Sequence, residues 1–403
     1  MPSYRYTARN ERGTAMTGTL AAPNLEALAD QLKRTGYLVT QARELTDGGL
    51  LTGALERMRG VGYDDLVLFN VQLSKMVRVG IPLMTAMDTL AKQTPNPILR
   101  EAVSDVARQV EAGSAFSEGL ARHPRIFSTL FISMVRAGEA SGKLDDILRR
   151  LATFTKHQAS LRQQILTALA YPSLLLVVGT GAMAFLVMGI IPKFMKIFVD
   201  AKVPLPLPTL CLYTLSQILR QHWMVILGGV TAMGLGLRVY VRTPAGRQLL
   251  DTALLKVPVV GDLVRQASLS RLTRTLETLL SGGVPVLESL AIAEQTCGNT
   301  IVAGACRAAQ VSVKRGGTIS EPLQRSREVP PMVVQMIKVG ESSGTLDQML
   351  AEIAEHYDEL VAHGIKRVTA LIEPVFLVVM GGMVAFIMAS ILLPLFRMVN
   401  VIK

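Results

Sequence analysis

The stretch GEASGKLDD, Gly138 to Asp146, holds two glycines, a lysine and the start of an apolar helical pattern, the ingredients of a phosphate-binding loop. Such a loop reads G-x-x-x-x-G-K-[ST]: its amides cradle phosphates and its hydroxyl holds magnesium. Here only three residues separate Gly138 from Gly142, and Leu144 stands where the hydroxyl should be. GESSGTLDQ, Gly340 to Gln348, repeats the pattern with Thr345 in place of the lysine. A catalytic lysine would be present in both copies. The shared residues therefore call for a reading without it, as a turn between helices. Gly138 and Gly142 would serve a C-cap and a close approach of backbone, and Asp145 would face the positive end of the next helix dipole. Gly340, Gly344 and Asp347 take the same places in the second copy. Glu139 and Glu341 could cap, bind a cation or contact a partner.

Other chemistry is sparse. His356, Glu359 and His363 share one helical face at i, i+3 and i+7, a spacing that could ligate a metal. The first repeat places His157 and Leu161 opposite the last two, and no third helix supplies a partner, so a solvated or packed face is the expectation. No H-E-x-x-H, G-x-S-x-G or G-x-G-x-x-G occurs. Glu373 lies at the mouth of an apolar stretch, before Pro374, where water still reaches it. The reading is a chain with no catalytic residue, no cofactor and no bound metal. The alternative, a membrane transporter or channel component with cytoplasmic regulatory domains, would carry several charges inside its apolar stretches, and none are found.

The 403 residues are half apolar, with 42 basic against 31 acidic side chains. The mean hydropathy of +0.37 points to membrane segments. The basic residues are dispersed, which suits anionic lipid rather than nucleic acid. Cys211, Cys297 and Cys306 have no C-x-x-C spacing and fit free thiols in a reducing compartment. The first 30 residues hold no apolar run typical of a secretory signal.

Three stretches lack charge over spanning length: Arg162 to Lys193, Arg220 to Arg238, and Glu373 to Arg397. Gly138 to Phe194 aligns with Gly340 to Phe396 at a constant offset of 202. The alignment pairs Pro172 with Pro374 and Pro192 with Pro394, read as prolines at the boundaries of the spanning helices. Upstream the offset becomes 203, pairing Pro82 with Pro285 and Ser117 with Ser320. Each repeat is thus a soluble part followed by one span. If both soluble parts face one compartment, an unpaired middle span must bring the chain back. Basic residues near the spans number seven on the face of the soluble parts and six on the other, a slight positive-inside bias. The small residues Gly228, Ala232 and Gly236, and likewise Gly381, Ala385 and Ala389, recur at i, i+4 and i+8. They would let spans two and three pack on each other or on a second subunit.

The fold expected is mainly α and membrane-integral. Residues 1–47 alternate as a small β-β-α-β module with Asn24 as helix N-cap, and 48–62 form a linker with a short amphipathic helix. A bundle of about six helices occupies 63–165 and a second occupies 265–368. The spans are 168–192, 221–241 and 371–396, with a periplasmic loop at 193–220.

GExSGxLD occurring twice, each copy followed some 30 residues later by a proline and an apolar span, resembles the type II secretion system F family, the GspF/PilC group of platform proteins. The resemblance includes YRYTARNERGTAMTGTL near the N-terminus and IEPVFLVVMGGMVAFIMASILLPLF near the C-terminus. It implies two cytoplasmic bundles, three spans of the bacterial inner membrane and a C-terminus outside. It also implies a non-enzymatic role at the base of type IV pili or secretion pseudopili. Partners implied are a hexameric cytoplasmic assembly ATPase, pilins or pseudopilins, other inner-membrane assembly proteins, membrane lipid and further copies of the chain. Some members are reported to bind a divalent cation through the motif glutamate and an acid four positions later; that later position is Lys143 here.

Overall fold

The computed structural model describes residues 3–10, 15–21, 25, 27, 29, 33, 37–45, 60–200 and 206–401. Three strands, β1 (Ser3–Asn10), β2 (Ala15–Ala21) and β3 (Tyr37–Leu45), pair antiparallel in the order β2-β1-β3. The described residues between β2 and β3 are helical. Asn24, the expected N-cap, and most of the 48–62 linker lie outside the described residues.

The chain divides into two compact units, Met1–Ile126 and Phe127–Lys403. The first holds helices α1 (Tyr63–Arg78), α2 (Leu83–Gln93), α3 (Pro97–Glu111) and α4 (Phe116–Ala121). Apolar residues at helical spacing bury one stripe of each: Phe69 and Leu73, Met87 and Leu90, Val103 and Val106, Phe116 and Leu120. Asn96 caps α3 by accepting from the amides of Ile98 and Leu99, while its amide nitrogen donates to Asp65 at 2.8 Å. His123 Nε2 lies 2.9 Å from Asp105 Oδ2, and that hydrogen bond holds the Asp105 carboxyl below its ordinary pKa.

The second unit begins with α5 (Thr129–Ser141) and α6 (Leu144–Phe185), then a single π-helical turn (Leu186–Ile190), α7 (Ile191–Asp200), α8 (Leu207–Val241) and α9 (Pro244–Lys256). It continues with α10 (Val260–Ser281), α11 (Val286–Thr296), α12 (Thr300–Lys314), α13 (Ser320–Gln324), α14 (Pro331–Ser343) and α15 (Leu346–Val401). The order α10 to α15 retraces α1 to α6 element for element, as the offset of the repeat requires. Helices α10 and α15 enclose a core with α11, α12 and α14, in which Leu269, Leu276, Leu290, Ile337, Ile353 and Tyr357 are buried. Burial pushes the Cys306 thiol up to about 12, so it is a packed apolar group at neutral pH, as is Cys297 beside it; Cys211 is exposed.

Among the described residues, three helical segments are long and apolar enough to cross a membrane: Leu144–Phe198, Leu207–Val241 and Leu346–Phe396. Two sequence expectations are corrected here. Residues 193–200 and 207–220 are helical rather than loop: α7 runs through 193–200 and α8 already begins at Leu207. The chain reads as a loop there because of Pro204, Pro206 and Pro208, but the last two are the N-cap and an N-terminal residue of α8, where a missing N–H costs nothing. Nor do Pro172, Pro374 and Pro394 lie at helix ends. Pro172 lies inside α6, and Pro374 and Pro394 lie inside α15. Pro192 sits in α7 directly after the π turn, in one near-continuous helical path.

At Pro192 and Pro394 hydroxyl groups satisfy the carbonyls that the prolines orphan. In the π turn the Ile191 amide donates to the Leu186 carbonyl, so the Val187 carbonyl faces Pro192, which has no proton to give. Ser216 Oγ on α8 donates to that carbonyl at 2.7 Å. In α15 the Ser390 carbonyl is the one Pro394 would have bonded, and Thr209 Oγ1 on α8 donates to it at 2.7 Å. Both hydroxyl residues are buried. The start of α8 thus seats against both copies of the repeat at equivalent prolines. Around it Val187, Ile191, Met195, Phe198, Leu212 and Ile387 close an apolar cluster. Beyond His222, whose φ of −118° and ψ of 21° break the helical path, α8 is exposed except at the half-buried Ile226 and Val241.

Candidate functional site

The two glycine-rich turns form alike. Gly142 and Gly344 end α5 and α14 in the left-handed region, at φ of +68° and +73°, where only glycine is unstrained. The amides of Lys143 and Thr345 donate back to the Gly138 and Gly340 carbonyls, at 3.0 Å in each turn. A methyl at Gly340 would lie 2.8 Å from Leu346 Cα, so the next helix could not cross so closely. At Gly138 it would meet Ile147 Cγ1 at 2.9 Å. Asp145 and Asp347 stand in the first turns of α6 and α15. Lys143 is exposed. The arrangement is a rigid corner between two helices, with no anion cradle.

Of the three uses that the sequence leaves open for the motif glutamate, Glu341 takes the first. Its carboxylate accepts from the amides of Ile319 and Ser320, the second at 3.1 Å, and so caps α13. It is a half-buried internal brace. His356, Glu359 and His363 are exposed on α15, and no three His, Cys, Asp or Glu side chains gather to hold a metal among the described residues. Glu373 lines an open cavity of about 360 Å³ between α6 and α15, with Tyr171, Pro172 and Lys366.

Sequence reasoning missed the contacts that join the repeats. Helices α5 and α6 end the first repeat, yet they dock on α10, α11 and α15 of the second. Ser133 Oγ donates to Glu288 at 2.7 Å, and Arg150 Nη1 donates to Ser281 at 2.8 Å. Gly282 admits Met134 and Ile147 so closely that a methyl there would meet both within 3.2 Å. Asp358 on α15 is the centre of this junction. Ser270 Oγ donates to one oxygen at 2.5 Å and Arg274 Nη2 to the other at 2.6 Å. His157 Nε2, from α6, lies 3.0 Å from that second oxygen. His157 Nε2 makes no directed hydrogen bond there and faces the Asp358 carboxylate as an ion-pair neighbour. Burial alone would raise the Asp358 pKa, but His157, Arg274 and Ser270 together hold it below the ordinary carboxylate value. The positions equivalent to Asp358 and His157 are Lys156 and Glu359, so the sequence repeat carries no trace of this cluster. Helix α9 was also missed; its buried Asp251 accepts from the Thr300 amide at 2.7 Å and so caps α12.

The small-residue stripes do not join spans two and three inside this chain. A methyl at Gly228, Gly236 or Gly381 would meet no atom within 4 Å, and Ala232, Ala385 and Ala389 are exposed. The bond from Thr209 to the Ser390 carbonyl joins α15 to the start of α8, ahead of the bend at His222. The close contact between spans is instead Gly179 against Phe376 and Met380, which joins α6 to α15.

A helical scaffold repeated in tandem, each copy running through a glycine corner into a membrane-length helix, is the class these features define. The family model of type II secretion system protein F matches residues 69–192 and 272–394, and that of its N-terminal domain matches 1–43. The type IV pilus assembly protein PilC of Thermus thermophilus is 38% identical over 407 residues, spanning the whole of both chains. The PilC of Myxococcus xanthus is 33% identical, over 99% of this chain and 96% of that one. The type II secretion system protein F of Xanthomonas campestris is 34% identical over the whole of both. The chain belongs to the type II secretion system protein F family. With its three membrane-length helices, it is a membrane protein.

Proposed function

We propose that this chain is a non-enzymatic platform of the bacterial inner membrane that couples a hexameric cytoplasmic ATPase to the assembly of pilin or pseudopilin subunits. The observation that carries this reading is the duplicated scaffold itself: two helical parts, each leading through one rigid corner into one span. Glu341 is spent on capping α13, and Gly138 and Gly340 on the close crossing of the next helix. In this reading 63–165 and 265–368 are cytoplasmic bundles, and 168–192, 221–241 and 371–396 cross the membrane. Helix α7 and the start of α8 then lie on the outer side, with the C-terminus. The seven-to-six excess of basic residues on the bundle side supports that orientation weakly. The exposed stripes at Gly228 and Gly381 are free to meet a further copy of the chain.

Relatives named for pilus assembly and for secretion are similar to the chain over comparable lengths, so both pathways fit the scaffold. The test is affinity capture of the tagged full-length chain from its native membrane in mild detergent. The assembly ATPase and pilin-like subunits are expected to come down with it. Recovery of the chain without the ATPase, while other inner-membrane assembly proteins stay attached, would contradict the coupling role.

A further inference from the structure

An open cavity of about 390 Å³ lies at the end of the membrane region away from the bundles, between α7 and the first half of α8. Lys196 and Arg220 both line it, and neither has a carboxylate partner among the described residues. Gln217 Nε2 donates to the Tyr213 hydroxyl at 2.7 Å, which leaves the tyrosine's own proton free to donate elsewhere. Gln221 completes a lining rich in donors. The floor is apolar, from Pro192 and the buried Met195, and is held in shape by the Ser216 bond to the π turn. Exposed Ile197 and Ile218 directly follow the lining residues Lys196 and Gln217 along the two helices.

Position decides which anion this suits. Lys193 and Lys196 directly follow the apolar run of the first span, and Arg220 directly precedes that of the second. The cavity is therefore at the level where lipid headgroups meet water. Basic residues that flank the spans at this end number six, Lys193, Lys196, Lys202, Arg220, Arg397 and Lys403, against the single acid Asp200. Basic pockets between membrane helices bind acidic headgroups, and long cationic side chains reach from apolar surroundings to that level.

We propose that this cavity is a binding site for the phosphodiester headgroup of an anionic phospholipid, with Lys196 and Arg220 on the phosphate, Tyr213 and Gln217 on its oxygens or the glycerol, and the acyl chains along Ile197 and Ile218. The proposal rests on the membrane spans alone, and would hold whichever fibre or secretion pathway the chain serves.

The test uses full-length protein in nanodiscs of phosphatidylcholine, alone or mixed in equal parts with phosphatidylglycerol, followed by native mass spectrometry of the lipids retained. Lys196→Gln with Arg220→Gln is compared with Lys193→Gln and Arg238→Gln, which removes the same charge outside the cavity. Both cavity side chains are exposed, so the fold is expected to survive. Retained phosphatidylglycerol is expected to weaken by roughly tenfold or more in the cavity variant and to change little in the control. An equal loss in both variants, or a loss in neither, would overturn the site. Displacement of the lipid by inorganic phosphate at matched concentration would assign the cavity to free phosphate and overturn the lipid proposal.

Discussion

Asp358→Ala is expected to destabilise the full-length protein by about 2–3 kcal/mol, below the 3–5 typical of a broken buried ion pair because the partners keep partial access to water. The carboxylate holds Ser270 and Arg274 of α10 and stands beside His157 of α6. Its removal leaves Arg274 half-buried, with Nε already lacking a partner. Thermal unfolding in detergent, read as a difference from wild type, measures the effect. Removing Arg274 as well should recover part of the loss, because the double variant no longer strands the guanidinium, although Glu277 loses its neighbour at 3.9 Å. The pH dependence follows from the lowered pKa. A carboxyl whose folded pKa lies below its unfolded value contributes stability above about pH 4, and the contribution disappears as pH falls through the folded pKa. The gap between wild type and Asp358→Asn should therefore be full at neutral pH and close in strong acid. A gap that widens on acidification would refute the assignment of the charged carboxylate as the stabilising form.

The second large effect is expected in the membrane region. Thr209→Val keeps the shape of the side chain and removes the hydroxyl that serves the Ser390 carbonyl; Ser216→Ala does the same for the Val187 carbonyl. Each leaves a buried carbonyl beside a proline with no donor, at a cost of about 1–3 kcal/mol. Thr214→Val is the control, since the Thr214 hydroxyl is exposed and bonds carbonyls of its own helix. The expected order of thermal stability is wild type, then Thr214→Val close behind, then each buried variant clearly lower, with Thr209→Ser restoring most of the loss. Thr209→Val as stable as Thr214→Val would show that the prolines are accommodated without help from α8.

What could be read from the sequence depended on whether the cause was local. The glycine corners were legible because a left-handed cap and a close crossing both demand glycine at fixed spacing, and the duplication showed which residues recur. The spans were legible from uncharged length. The helical character of 193–200 and 207–220 was not, because proline spacing near a helix start looks the same as in a loop. The interior prolines were misread for a related reason: a proline marks a helix end only if nothing else can satisfy the carbonyl, and here the donors Ser216 and Thr209 come from a different helix. Asp358 was invisible because its partners arrive from two other helices, one of them in the other repeat. Glu341 was half legible: the recurring acid was evident, and capping was among its readings, but only the fold brings α13 to it.

Deletion of the gene, with complementation by the wild-type copy, tests the platform role most directly, assayed as sheared pilin fibres on the surface alongside enzymes in the medium. The account predicts that one of these outputs is lost and then restored, lost fibres marking a pilus platform and lost secretion marking a secretion subunit. Persistence of both outputs, in a strain with no second copy of the family, would contradict it.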